Sequence, residues 1–132
     1  VDSGGHIDAE TAAFDKPALF LIAEPSACNA GNNILSLASG TEGSAVLRIS
    51  HSTHCHFENP YDTRCELACG SLRPQEANAI TMQTIQSLAT AWLLKQTLKD
   101  PTSTAILDTA LAATGDWKAR IEVLQMTSKV TQ

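Results

Sequence analysis

Apolar positions along the chain fall into short continuous runs near the start and helical spacing later. Ala18-Leu19-Phe20-Leu21-Ile22-Ala23 is an unbroken apolar run between prolines 17 and 25. A run that short, with such flanks, predicts a strand buried on both faces, as in a parallel sheet. Ala45-Val46-Leu47-Arg48-Ile49 predicts a second strand. From Pro74 to about Lys99 the spacing changes to that of a helix, with Ala77, Ile80, Thr84, Leu88, Ala91 and Trp92 on one face. Lys95 and Lys99 suit the negative end of its dipole, and Asp100-Pro101 stops it.

Shorter elements fill the gaps. Asp8 is placed to cap a helix over Ala9 to Phe14, and Ile34 to Ala38 reads as a helix closed by Gly40. Ser50 to about Arg73 reads as loop. Ser103 to Ala113 predicts a further helix, and Trp117 to Met126 fits helix or strand equally. Strands alternating with helices indicate βαβ units and a parallel sheet. Two strands do not make a stable sheet alone, so the chain is expected to be part of a larger fold or to need a partner.

The bulk properties narrow the function. With 132 residues, one domain is expected. A formal charge of −5 provides no electrostatic footprint for nucleic acid or an anionic membrane. No run of 18 apolar residues predicts a membrane span. Val1-Asp2-Ser3-Gly4-Gly5-His6 reads as a loop opened in mid-protein, so much of a parent chain is expected upstream. Cys28, Cys55, Cys65 and Cys69 all lie in or beside predicted loops, which favours an oxidising, secreted or periplasmic setting.

The segment richest in chemistry is Ile49-Ser50-His51-Ser52-Thr53-His54-Cys55-His56, where a buried strand runs out into a histidine-bearing loop. In open α/β sheets, sites lie beyond the carboxyl ends of the strands. Three blocks together resemble the last third of the cutinase-like, polyester-hydrolase and chlorophyllase-like group of α/β-hydrolases. Lys16 to Glu24 is similar to that group's penultimate strand, Ile49 to Cys55 to its last strand and small-residue–His turn, and Ala89 to Lys95 to its closing helix. Val1-Asp2-Ser3-Gly4 resembles the loop after the preceding strand. The matches span roughly residues 1–99.

The resemblance implies a fold class of α/β type, the C-terminal part of an α/β-hydrolase over residues 1–100, with 101–132 an unassigned helical extension. It implies a serine ester hydrolase with a small-molecule or polymeric ester as substrate, no cofactor and no metal. It places the catalytic histidine at His54, leaving His51 and His56 without a role. The acid departs from the pattern: where polyester-hydrolase-like members carry Asp, this chain has Ser26. Asp2, an Asp upstream of Val1, or Glu24 remain as the acid, with the early loop preferred. No Gly-x-Ser-x-Gly occurs, so the nucleophile and oxyanion hole belong to the missing N-terminal half and the chain alone is expected to be inactive.

Four cysteines allow three pairings. The pairing expected is Cys28 with Cys55, joining the loops after two neighbouring strands, and Cys65 with Cys69, one helical turn apart. Two other readings stay open. One is a non-catalytic hydrolase-like binding module. The other is a zinc site drawn from His51, His54, His56, Cys55, Cys65 and Cys69, although no Cys-x-x-Cys or His-Glu-x-x-His is present.

Overall fold

The computed structural model describes residues 16–29, 42–58, 62–69 and 75–127. Within them the chain forms a three-stranded mixed sheet packed against helices. Strand β1 is Leu19–Ile22, β2 is Ala45–Ile49 and β3 is Ile121–Met126, in the order β1-β2-β3. The helices are α1 (Thr63–Ala68), α2 (Gln75–Leu98), α3 (Pro101–Leu111) and α4 (Trp117–Arg120). The helices predicted over Ala9 to Phe14 and Ile34 to Ala38, and Asp2 with its loop, lie outside the described residues.

β1 and β2 are parallel, with Leu21 opposite Leu47, as the apolar runs predict. β3 corrects the all-parallel expectation, because it runs antiparallel to β2. One crossover helix would return the chain to the starting end of β2. Here the link Lys99–Asp100 folds α3 back along α2, so the chain regains the end where β2 finished, and Ile121 pairs with Ile49. Trp117 to Met126, which fitted helix or strand, is both: the turn of α4 and then the strand. The tail from Pro101 therefore adds a helix and a sheet edge rather than a helix alone.

One sheet face carries Leu47, Ile49 and Ile121, which pack against Leu88 and Ala91 of α2 and Leu107 and Ala110 of α3. The other face carries Ile22 and Val46, with Phe20 and Leu124 against them. The register shifts between Val46 and Leu47, where Leu124 is the extra residue of β3; Val123 packs with the first face and Leu124 with the second. α3 begins at Pro101 behind the cap Asp100, whose carboxylate accepts from the Ser103 N–H at 2.6 Å.

The apolar face predicted for α2 holds over Leu88 and Ala91 but not at Ile80, which is 51% exposed. In the first turns of α2 the buried positions are Asn78, Thr81 and Thr84. That end of the helix faces the polar histidine turn instead of the apolar sheet, so its inward residues are polar.

Candidate functional site

Beyond the end of β2 the chain turns through Ser50 and His51. His51 takes φ = 59°, a left-handed conformation uncommon for a residue with a Cβ. The Ser52 hydroxyl donates to the Ile49 carbonyl at 2.8 Å and closes this corner. A 3₁₀ turn, His54–Phe57, follows, with Thr53 as its cap. Helix α1 then begins at Thr63 because Asp62 caps it, its carboxylate accepting from the Arg64 N–H at 2.8 Å. The stretch expected as loop therefore contains two elements. Asp62, three residues before Cys65, is the signal in the sequence that would have located α1.

The turn and α1 are joined by a buried polar cluster. The His56 side chain is fully buried and Glu66 is 1% exposed. His56 Nδ1 accepts from the Thr53 N–H at 3.0 Å, which leaves Nε2 to donate to Asn78 Oδ1 at 3.1 Å. The Glu66 carboxylate accepts from the Asn78 amide and from the Thr53 hydroxyl, both at 3.4 Å. Turn, α1 and α2 each contribute to this cluster, so its donors and acceptors fix the three relative to one another. His56, expected to have no role, holds the turn together, and Glu66 and Asn78 were not singled out from sequence. Glu66 falls in the stretch read as loop and Asn78 in a helix, and in both settings a polar residue is ordinarily solvated, so nothing local marked them.

The cysteines close the same region. Both disulfides form, but the expected pairing is overturned: Cys28 bonds Cys69, and Cys55 bonds Cys65. The reason is geometric. Cys65 and Cys69 are one helical turn apart, and such positions hold their Cβ atoms about 5–6 Å apart, beyond the roughly 4.5 Å a disulfide spans. Both face the histidine turn instead. Cys55 is completely buried beneath that turn and meets Cys65, while the exposed Cys28, in the 3₁₀ turn Ala27–Asn29 after β1, reaches Cys69. Loop-closure entropy assigns about 3 kcal/mol to the shorter bridge and about 4 kcal/mol to the longer one.

His54 is half-buried at the centre of these sulfurs. Its Nε2 lies 3.3 Å from Cys65 Sγ, and its Nδ1 lies 3.7 Å from Cys69 Sγ and 3.9 Å from Cys55 Sγ. Among the described residues no carboxylate contacts its ring. Glu24 is turned elsewhere: its carboxylate accepts from the His51 N–H at 2.7 Å and lies 3.9 Å from His51 Nδ1. Ser26, at the position where the resembled group carries its acid, has a buried hydroxyl with no hydrogen-bond partner among the described residues. Asn29 organises that turn instead, accepting from the Ser26 N–H and donating to the Glu24 carbonyl, each at 2.8 Å. A cleft of about 160 Å³, lined by residues including Ile49, His51, Thr84 and Arg120, opens beside the strand end, and His54 does not line it.

No family model, curated protein or solved structure matches this chain.

Proposed function

We propose that the chain supplies the histidine-bearing C-terminal part of a secreted or periplasmic serine ester hydrolase, with His54 as the base. The observation that carries this reading is the placement of His54. It stands five residues past Ile49, on a braced turn beyond the carboxyl end of a parallel strand pair, with α2 packing back against the sheet. Its neighbours fit the role less well. His56 is sealed inside the polar cluster, and His51 is exposed and engaged with Glu24. In this reading His54 takes the proton of a serine in the N-terminal half and returns it to the leaving alcohol. One oxygen of Glu24 accepts from the His51 N–H, so this reading prefers Asp2 or an Asp upstream as the acid and keeps Glu24 as the alternative. Two disulfides are consistent with an oxidising compartment.

The test is ester turnover by a parent protein that carries a Gly-x-Ser-x-Gly segment upstream of Val1. His54→Ala is expected to lower kcat by roughly 10⁴- to 10⁶-fold and His51→Ala far less. The 132-residue chain alone is expected to turn over no ester. A parent gene without the serine motif, or a His54→Ala parent of undiminished activity, would sink the reading.

One observation favours the second reading, a non-catalytic hydrolase-like binding module: sulfur atoms are the only partners of the His54 ring among the described residues. It predicts that the same parent hydrolyses no ester while binding one.

A further inference from the structure

The sulfurs around His54 suggest more than two covalent staples. One ligand atom from each of His54, Cys55, Cys65 and Cys69 can be chosen so that all four lie within 4.8 Å of one another. We propose that, when both disulfides are reduced, these four residues form a tetrahedral site for a soft divalent cation of the zinc type. This site stands whether or not His54 serves in ester hydrolysis.

The donor set is three thiolates and one imidazole, a combination that holds structural zinc. Bonds of about 2.3 Å to sulfur and 2.0 Å to nitrogen place tetrahedral ligands roughly 3.5–3.8 Å apart. Cys65 Sγ is 3.3 Å from His54 Nε2, and Cys55 Sγ is 4.0 Å from both His54 Nε2 and Cys69 Sγ. These edges are already near the required length. The Cys55–Cys65 edge must open from a covalent bond, which side-chain rotation allows because the two Cα atoms are 5.8 Å apart. Cys28 lies outside the set and becomes an exposed thiol.

The scaffold does not depend on the disulfides alone. The Thr53–His56–Glu66–Asn78 cluster holds the turn that carries His54 and Cys55 against the helix that carries Cys65. It keeps the ligands together once the sulfur bonds are cut, as outer-shell hydrogen bonds do at metal centres. The chemistry balances. Each disulfide takes two electrons and two protons from a dithiol, which becomes a disulfide, or two electrons from a phosphine, which becomes its oxide while water supplies the oxygen and the two protons. The cation then displaces one proton from each of the three ligand thiols, and His54 binds through a ring nitrogen that bears no proton. Occupied this way, His54 has no free nitrogen at the metal edge for proton transfer, so the reduced, metal-bound form cannot use it as a base.

The experiment uses the whole 132-residue chain, reduced without oxygen by a phosphine and titrated with Co²⁺ and then Zn²⁺. One Co²⁺ per chain is expected, with thiolate-to-cobalt charge-transfer bands and intense tetrahedral d–d bands, displaced by one Zn²⁺. The oxidised chain should bind none. Cys65→Ser should abolish stoichiometric binding, Cys28→Ser should leave the spectrum unchanged, and His54→Ala should shift the d–d bands. Glu66→Gln should weaken affinity by about tenfold without changing stoichiometry. Absence of tetrahedral bands in the reduced chain overturns the proposal. So do bands unaffected by His54→Ala and Cys65→Ser, and so does a reduced chain whose far-UV circular dichroism shows it unfolded with the metal bound.

Discussion

Between the sheet and the helices, Leu47 of β2, Leu88 of α2 and Leu107 of α3 are completely buried and form part of one apolar cluster. At the histidine turn the buried residues are Ser52, Thr53, Cys55, His56 and Glu66, and the interactions that fix them are hydrogen bonds and sulfur bridges. The first region is held by area removed from water, which is non-directional and tolerates change of shape at fixed volume. The second has little apolar area to bury, so its geometry depends on directional bonds that must all be made, and on covalent staples. A turn that must hold a histidine in one place gains from the second kind of bonding. A scaffold gains from the first.

The sharpest test of that contrast cuts the longer bridge. Cys28→Ser with Cys69→Ser should destabilise the chain by about 4 kcal/mol, read by urea denaturation. Hydrogen exchange should then accelerate at His54–Glu58 before it does at Ala45–Ile49. Equal acceleration at both would show that the turn and the sheet unfold as one unit. Leu107→Ala attacks the other region and should cost about 3 kcal/mol through the cavity it leaves. Its effect should spread through β2, α2 and α3 and leave both disulfides formed, which peptide mapping without reductant would verify.

Glu66→Ala removes the carboxylate that accepts from the buried Thr53 hydroxyl and Asn78 amide and should cost about 2 kcal/mol. Glu66→Gln should restore part of that loss, because its side-chain carbonyl still accepts. A Glu66→Ala chain as stable as the parent would mean that the polar cluster adds nothing to the disulfides. A smaller gain is expected at Ala113, which follows α3 with φ = 49°. Ala113→Gly removes a left-handed strain and should raise stability by about 0.5 kcal/mol in thermal melts. The smallest effect belongs to Asp100. The Ser103 hydroxyl, and then the Ser103 N–H, hold its carboxyl below the ordinary value of 3.8. A lowered acid stabilises the fold fully above its unfolded pKa and loses that contribution as pH falls through the folded one. Asp100→Ala should therefore lower the melting temperature slightly at neutral pH, with the difference from the parent narrowing below about pH 4.

Hydrophobic pattern alone located β1, β2, α2 and α3 to within a few residues, because each is long or apolar enough to declare its period. The choice of His54 came from the family resemblance and not from the pattern, and the places of the cysteines in or beside predicted loops favoured disulfides. The pattern could not assign the direction of β3, since Ile121 to Met126 carries no record of whether one helix or two precede it in the return path. That was decided by the tight link at Lys99–Asp100 folding α3 onto α2. It could not place Ile80 outside and Asn78 inside, because the side of α2 that is buried depends on what lies across from each turn. The cysteine pairing was a tertiary outcome for the same reason. Spacing brought Cys65 and Cys69 onto one helical face, but their Cβ atoms run side by side, and only the approach of the histidine turn and the loop after β1 supplied partners at bonding distance. Local pattern registers what neighbours along the chain can do, whereas direction, facing and sulfur partners are settled by groups that meet across tens of residues.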